Sequence, residues 1–331
     1  MLVRKHNRGF GQQLRSLLVF GSGELHRTGM GNLFPLIAHL RFLRVLDLKS
    51  ISLHLFHPSG LNYLLQLRYL AIHIDQFDFE WILDLLYLET LVVSGYLLDS
   101  STLENLWNIR SITIFHDDDT DELIERFPNL QALELVIRAS NKVVYTGQFY
   151  IVFPKLECIA HLESLVVRFP PIWFCIVLPF DFSFPSNIKV FKLVSDLLTA
   201  EAVATIAGLP NLEILILKLV SFEQQMWGSR DTWDVGDIVF LVLKILKLKH
   251  LMIYKWNTFE TFFPILEQLV ICSCSYLEKI PPSFANILTL ETIKMIHCNK
   301  YSNSLESSTL KIKEEVESRT GYEVQVLITR R

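Results

Sequence analysis

A hydrophobic phrase that recurs along the whole chain is the feature that most restricts its fold. The phrase is Leu-x-x-Leu-x-Leu, in which Ile, Val, Phe or Met can replace Leu, and successive copies begin 21–32 residues apart. Repeats with this pattern and length are typical of leucine-rich-repeat proteins. The copies begin at Leu14, Leu43, Leu67, Leu88, Ile109, Leu130, Leu162, Ile188, Leu212, Leu243, Leu266 and Leu290.

The spacing within each copy predicts a short strand. Side chains alternate across a strand, so the fourth and sixth residues of the phrase face one side and the third, fifth and seventh face the other. One copy cannot bury its apolar side alone, and neighbouring copies must therefore stack. We predict an α/β fold, a leucine-rich-repeat solenoid or horseshoe of about twelve repeats, with a parallel concave β-sheet and an irregular, short-helical convex side.

The C-terminal segment differs from the repeats. Leu305, Thr309, Ile312 and Val316 recur at helical spacing, Gly321 is typical of a helix end, and the residues after it alternate like a strand. Stacked repeats need a polar-faced end. We therefore predict one domain, with the solenoid over residues 1–304 and a helix-strand cap over residues 305–331.

Two cysteines fall at the same point of the last two copies. Cys274 and Cys298 are each the ninth residue of their copy, where the repeat pattern has Asn or Cys at the turn out of the strand. We predict a structural role for both. Cys272 lies near Cys274, but there is no second pair at zinc spacing, so no metal site is predicted. Cys158 and Cys175 have apolar neighbours in the sequence and are expected in the core.

Positive charge collects at the predicted concave positions of the later copies. Their fifth and seventh residues include Arg168, Lys192, Lys218, Lys247, Lys249 and Lys294. Two interpretations stay open: a contact surface for an acidic protein partner, or lysines that only keep exposed strands soluble. Nucleic acid is a weaker third interpretation, because aromatic residues for stacking are sparse there and the net charge is −4.

An insertion at residues 221–237 is a second candidate contact site. It holds Trp227, Arg230 and Trp233 among charged residues, a composition typical of binding hot spots. Insertions in repeat arrays often lie on one interaction face. The alternative is that one or both Trp side chains fold back onto the core.

No catalytic or nucleotide-binding pattern accompanies the repeats. Ten His are scattered without a local Ser or Cys nucleophile signature, and there is no Gly-x-x-x-x-Gly-Lys-[Ser/Thr] loop. No apolar run is long enough to span a bilayer. We therefore predict a recognition protein that is not an enzyme, holds no cofactor and has no transmembrane segment.

Several longer segments carry a family resemblance. They are "LRSLLVF" (residues 14–20), "HLRFLRVLDL" (39–48), "LLQLRYLAI" (64–72), "LPNLEILIL" (209–217), "LKILKLKHLMI" (243–253) and the stretch from "FPILEQLVICSC" to "LETIKMIHC" (263–298). Together they resemble the leucine-rich-repeat portion of plant intracellular NLR immune receptors, the NB-ARC LRR disease-resistance proteins. Within that family, they most resemble the late-blight-resistance type of the nightshade family.

The resemblance implies a protein-recognition and autoinhibitory domain. Such a domain senses pathogen effectors, directly or through a guarded host protein, and triggers defence and the hypersensitive response. The implied protein partners are the nucleotide-binding switch domain, an effector or the guarded protein. ADP or ATP is expected only in the nucleotide-binding domain, which this sequence does not resemble. A cytoplasmic location is implied, with peripheral membrane association left open. The alternative is a free-standing binding module, an adaptor or an enzyme inhibitor, without switch activity.

Overall fold

The chain forms two compact units in the computed structural model. Unit 1 comprises Met1–Arg138 and Cys158–Leu162, and unit 2 comprises Ala139–Glu157 and Glu163–Arg331. The structure describes residues 13–19, 37–53, 61–77, 82, 84–97, 106, 108–115, 124–125, 127–138, 153–169, 184–195, 197–218, 221–222, 232–234, 237–258, 262–298 and 304–330.

Within its described residues, unit 1 contains six parallel strands that follow one another in the sheet in sequence order. The first, fourth and sixth residues of the phrase form its core, as in the second copy, where Leu43, Leu46 and Leu48 are 0% exposed. A 3₁₀ turn at Leu61–Tyr63 returns the chain toward the next strand. The strands are β1 (Ser16–Leu18), β2 (Val45–Leu53), β3 (Tyr69–Phe77), β4 (Thr90–Leu97), β5 (Asn108–Phe115) and β6 (Ala132–Arg138).

One copy of unit 1 begins earlier than the sequence predicts. In the sheet Ile109 pairs with Leu91 and Leu133, which are fourth residues of their own copies. Its copy therefore starts at the buried Leu106, and the predicted start at Ile109 is wrong. The cause is a shift in the pairing of β5 with β6 between Ile109 and Ile112. Because of this shift, apolar residues recur for three more residues along β5, and the sequence therefore offers a second, false start at Ile109.

In the part of the chain that the structure describes, the main sheet of unit 2 contains seven strands, most of which alternate regularly between buried and half-exposed residues. In their order across the sheet they are β7 (Ser164–Arg168), β8 (Val190–Val194), β10 (Ile214–Lys218), β13 (Ile245–Lys249), β15 (Gln268–Cys272), β16 (Thr292–Ile296) and β17 (Gln325–Thr329). All of them are parallel. Two small parallel pairs join β9 (Leu197–Leu198) to β11 (Ser221–Phe222) and β12 (Thr232–Asp234) to β14 (Lys255–Asn257).

Short helices complete the return segments of unit 2. Helix α1 (Ala200–Ala207) starts where the Thr199 hydroxyl accepts a hydrogen bond from the Ala202 amide at 3.1 Å, which caps one of the free amides of a helix start. It buries Val203 and Ile206. A 3₁₀ helix at Pro282–Asn286 buries Phe284. The predicted leucine-rich-repeat fold, with a parallel sheet and short-helical returns, is therefore confirmed.

The chain ends in a helix and a strand that adds to the sheet. Helix α2 (Ser304–Thr320) buries the four residues of the predicted apolar stripe, Leu305, Thr309, Ile312 and Val316. Gly321 follows with a φ of 73°, a left-handed conformation that suits glycine at a helix end. Strand β17 then pairs with β16, with Leu327 beside Lys294.

Candidate partner-binding surface

The candidate surface is the face of the unit 2 sheet that points away from the core. In β7, β10, β13 and β16 the fourth and sixth residues of the phrase are buried, whereas the third, fifth and seventh are half-exposed. We call the third, fifth and seventh positions of β7, β8, β10, β13, β15 and β16 the open face. The structure brings six predicted residues together there: Arg168, Lys192, Lys218, Lys247, Lys249 and Lys294.

The open face has cations and no acids. Its uncharged positions hold only Ser, Thr, Gln, Cys, Val and Ile. Lys218 and Lys249 are direct register partners on β10 and β13, and Lys247 lies two residues before Lys249. Like charges placed opposite each other on neighbouring strands destabilise a sheet. This arrangement therefore has an electrostatic cost that a negatively charged partner would remove.

Two lysines at the second positions of the same copies form ion pairs. The second residue of the phrase is Glu or Lys in each copy of unit 2, and Lys189 Nζ lies 2.8 Å from a Glu163 oxygen. The hydrogen bond to Glu163, together with its charge, raises the pKa of Lys189. Lys244 Nζ similarly lies 3.4 Å from Glu213. We call this line of Glu and Lys residues the second-position row.

The open-face lysines differ from that row. Among the residues that the structure describes, Lys218, Lys247, Lys249 and Lys294 form no ion pair. In unit 1, by contrast, Lys49 at a seventh position lies 2.9 Å from Asp47 at a fifth position. The hydrogen bond from Lys49 to Asp47 raises the pKa of Lys49. Four lysines of the open face therefore carry positive charge without an ion pair in the described structure, and what distinguishes the open face is that this charge stands where no acid is present.

The insertion does not provide the predicted Trp contact. Trp233 lies in β12, is 1% exposed and stacks on Trp256 with ring centroids 4.9 Å apart. The prediction that Trp233 contacts a partner is wrong, because the parallel pairing of β12 with β14 folds this indole onto the core. Trp227 and Arg230 lie outside the described residues, so their predicted role stays a prediction.

Cys274 and Cys298 join neighbouring copies through the same hydrogen bonds. The Cys274 thiol donates to the carbonyls of Leu248, at 3.6 Å, and Cys272, at 3.5 Å. The Cys298 thiol donates to Ile271, at 3.2 Å, and Ile296, at 3.5 Å. In both cases the first acceptor is the sixth residue of the preceding copy. Burial raises the pKa of Cys274 to about 12 and raises that of Cys298, so both thiols keep the proton that they donate.

The other expectations for the cysteines have mixed outcomes. Cys158 is exposed, so its predicted place in the core is wrong; it follows the buried Leu156 in a 3₁₀ turn that directs it outward. Cys175 lies outside the described residues. Within the described part of the chain, no three His, Cys, Asp or Glu side chains are grouped closely enough to hold a metal ion. No helix in that part is both long and apolar enough to cross a membrane.

Sequence reasoning missed a set of strained turns beside the open face. His250, Ser273 and His297 are the eighth residues of their copies and have φ values of 53–56°, a region that non-glycine residues rarely adopt. Each amide donates to the carbonyl of the last residue of the next strand, as Ser273 does to Ile296 at 2.8 Å. None of these residues is a glycine, so the sequence carries no signal for the turn.

Comparison with known proteins agrees with the resemblance in the sequence. Late blight resistance protein R1-A of Solanum demissum is 31% identical over 330 residues, which cover 88% of this chain and 23% of that protein. The chain is a relative of the late blight resistance proteins. A putative late blight resistance protein homolog from the same species is 32% identical over 298 residues, which cover 80% of this chain and 37% of that homolog. The predicted resemblance is thereby confirmed.

The chain corresponds to only part of these late blight resistance proteins, since it spans 23% of the length of R1-A and 37% of the length of the homolog. Among solved structures, the leucine-rich repeat domain of the type III effector XCV3220 (XopL) has a TM-score of 0.29 and 15% identity. The match covers 85% of this chain and 77% of that domain. No protein-family model matches the chain.

Proposed function

We propose that this chain is the protein-recognition and autoinhibitory leucine-rich-repeat part of a plant resistance protein, and that the open face of unit 2 holds its partner. In the resting receptor, an acidic surface of a nucleotide-binding switch domain occupies this face. A pathogen effector, or a host protein that an effector has modified, binds the two states unequally and so shifts the equilibrium toward the active state. That shift triggers the defence response.

The observation that carries the proposal is the cationic, acid-free open face. Lys218, Lys247, Lys249 and Lys294 lack ion pairs within the described structure, while Lys189 and Lys244 on the same sheet have them. A surface of one sign steers a partner of the opposite sign and favours it over other proteins. Lysines that served only for solubility would not need to be concentrated at the positions from which acids are absent.

The test is association with the nucleotide-binding portion of a late blight resistance protein. The two chains are co-expressed in leaf cells, and co-precipitation is measured at about 50 mM and about 500 mM NaCl, because salt screens exposed charges. The test variant is Lys192→Glu/Lys247→Glu/Lys294→Glu. Its control carries the same change of charge away from the open face, Lys255→Glu/Lys279→Glu/Lys311→Glu, at three exposed lysines.

We expect salt-sensitive association that the open-face variant reduces about tenfold or more and the control variant leaves nearly unchanged. Equal loss with both variants would mean that only net charge matters. Absence of association with the unsubstituted chain would remove the autoinhibitory role. It would leave a free-standing binding module, whose partner would have to be found independently.

A further inference from the structure

The fifth positions of the unit 2 sheet alternate between apolar residues and lysine. Register pairing places them side by side, one from each of the seven strands, and we call them the fifth-position row. In order across the sheet they are Val166, Lys192, Ile216, Lys247, Val270, Lys294 and Leu327. The alternation is invisible along the chain, because these residues lie 23–33 positions apart.

The row sets a repeat distance for whatever binds across it. Adjacent strands lie about 4.8 Å apart, so successive lysines of the row are about 9.6 Å apart, with an apolar side chain midway. The whole row spans about 29 Å. A ligand that satisfies the row must therefore present negative charge about every 9.6 Å and apolar groups between the charges.

An α-helix lying across the strands meets this requirement. Seven residues of helix rise about 10.5 Å, so acidic residues at i, i+7 and i+14 span about 21 Å against the roughly 19 Å from Lys192 to Lys294. The difference of about 1 Å at each end is within the reach of a flexible lysine stem. Apolar residues at i+3 or i+4 then face the half-exposed Ile216, and those at i+10 or i+11 lie over Val270, which is 6% exposed between its register partners Lys247 and Lys294. A helix of about 20 residues covers the whole row.

An extended peptide across the strands does not fit. Its side chains on one face recur about every 6.8 Å, so neither one nor two repeats match the lysine spacing. The third positions favour the helix further: Val190, Ile214 and Ile245 are half-exposed and lie on the consecutive strands β8, β10 and β13. They form an apolar strip parallel to the row, against which a second apolar edge of the helix can pack.

The geometry points to a protein partner that presents an amphipathic helix with acidic residues seven apart and apolar residues between them. This inference rests on the proposed function, because it specifies which kind of partner surface binds to the open face. The helix belongs to the partner that the open face holds in the resting receptor.

The inference is tested with synthetic peptides as probes and the full chain as receptor. The matched peptide is 21 residues long, with Glu at each first position of three heptads, Leu at each fourth position, and Ala and Gln elsewhere. The control peptide has the same composition and helical content, with its Glu residues five apart. Binding is measured by fluorescence anisotropy, and circular dichroism verifies the helicity of both peptides.

We expect the matched peptide to bind at least about tenfold more tightly than the control. Lys247→Glu should abolish that preference, whereas Lys255→Glu, at an exposed lysine off the open face, should preserve it. Equal affinity for the two peptides overturns the helix inference, and so does tighter binding of a 20-nucleotide single-stranded DNA. Neither result bears on co-precipitation with the nucleotide-binding portion, so failure of this inference can be distinguished from failure of the proposed function.

Discussion

Replacing Cys274 with Ala should destabilise unit 2 more than the same change at either neighbouring cysteine. Cys274 is 0% exposed, and its thiol donates to the Leu248 carbonyl of the preceding copy. Removing a buried group of this size costs about 1 kcal/mol in transfer free energy. The remaining cavity adds about 0.5 kcal/mol, and the weak thiol hydrogen bond about 0.5 kcal/mol. The expected loss in the free energy of unfolding is about 2 kcal/mol.

The two other cysteines provide matched comparisons. Cys298 makes the same kind of hydrogen bond but is half-exposed, so Cys298→Ala should cost about 1 kcal/mol. Cys272 is half-exposed on the open face, and Cys272→Ala should cost less than about 0.5 kcal/mol. The assay is urea unfolding of the full chain followed by far-UV circular dichroism, with the free energies compared at a common denaturant slope.

The order of the three losses is the decisive result. If Cys274→Ala cost no more than Cys272→Ala, the ninth-position thiol would not hold neighbouring copies together, and its hydrogen bonds would be incidental. A change in the denaturant slope of Cys274→Ala alone would indicate that unit 2 no longer unfolds cooperatively.

Two further predictions concern pH and the end of α2. The folded pKa of Cys274, about 12, lies above the ordinary value of 9.0, so above pH 9 the unfolded state binds fewer protons and stability falls. Between about pH 9 and about pH 11 the free energy of unfolding should therefore fall by about 1–2 kcal/mol more in the unsubstituted chain than in Cys274→Ala. Urea unfolding at each pH measures this difference. If the two proteins lost stability in parallel, the prediction would be contradicted. Gly321→Ala should lower stability by about 1 kcal/mol, because φ is 73° although no atom lies within 4 Å of the added Cβ. Gly321→Asn should lower the stability less than Gly321→Ala does, as measured by thermal unfolding, because Asn adopts the left-handed conformation more readily. Equal losses for the two variants would show that the backbone conformation is not the cause of the destabilisation.

The sequence predicts those features that depend on spacing within one copy. The strand phrases, the buried stripe of α2 and the ninth-position cysteines all follow from local periodicity, because a buried face requires the same offsets in every copy. The start at Leu106 was missed because a register shift in β5 allows two apolar frames to overlap. The burial of Trp233 depends on Trp256, which lies in a different return segment, and no local pattern links the two.

The sequence predicts the composition of the candidate site but not the arrangement of its residues. Each of the six open-face cations could be assigned to a fifth or seventh position from its own copy. Their alternation with apolar neighbours could not, because it depends on which residues pair between strands after returns of unequal length. The absence of acids from the open face is likewise a property of the assembled sheet. Each copy of unit 2 carries Glu or Lys at its second position, so charged residues of both signs occur in these copies away from that face.

The second-position row and the fifth-position row both alternate between two kinds of residue from β7 to β15. This alternation restricts how the number of repeats in unit 2 can change. Loss of the single repeat that carries β10 would bring Lys189 beside Lys244 in the second-position row and Lys192 beside Lys247 in the fifth-position row. Like charges would then meet twice across one strand pair. Loss of the repeats of β10 and β13 together would keep both alternations in phase. Loss of one repeat here should therefore cost more stability than the like-charge contacts already present, whereas loss of this pair of repeats avoids that added cost.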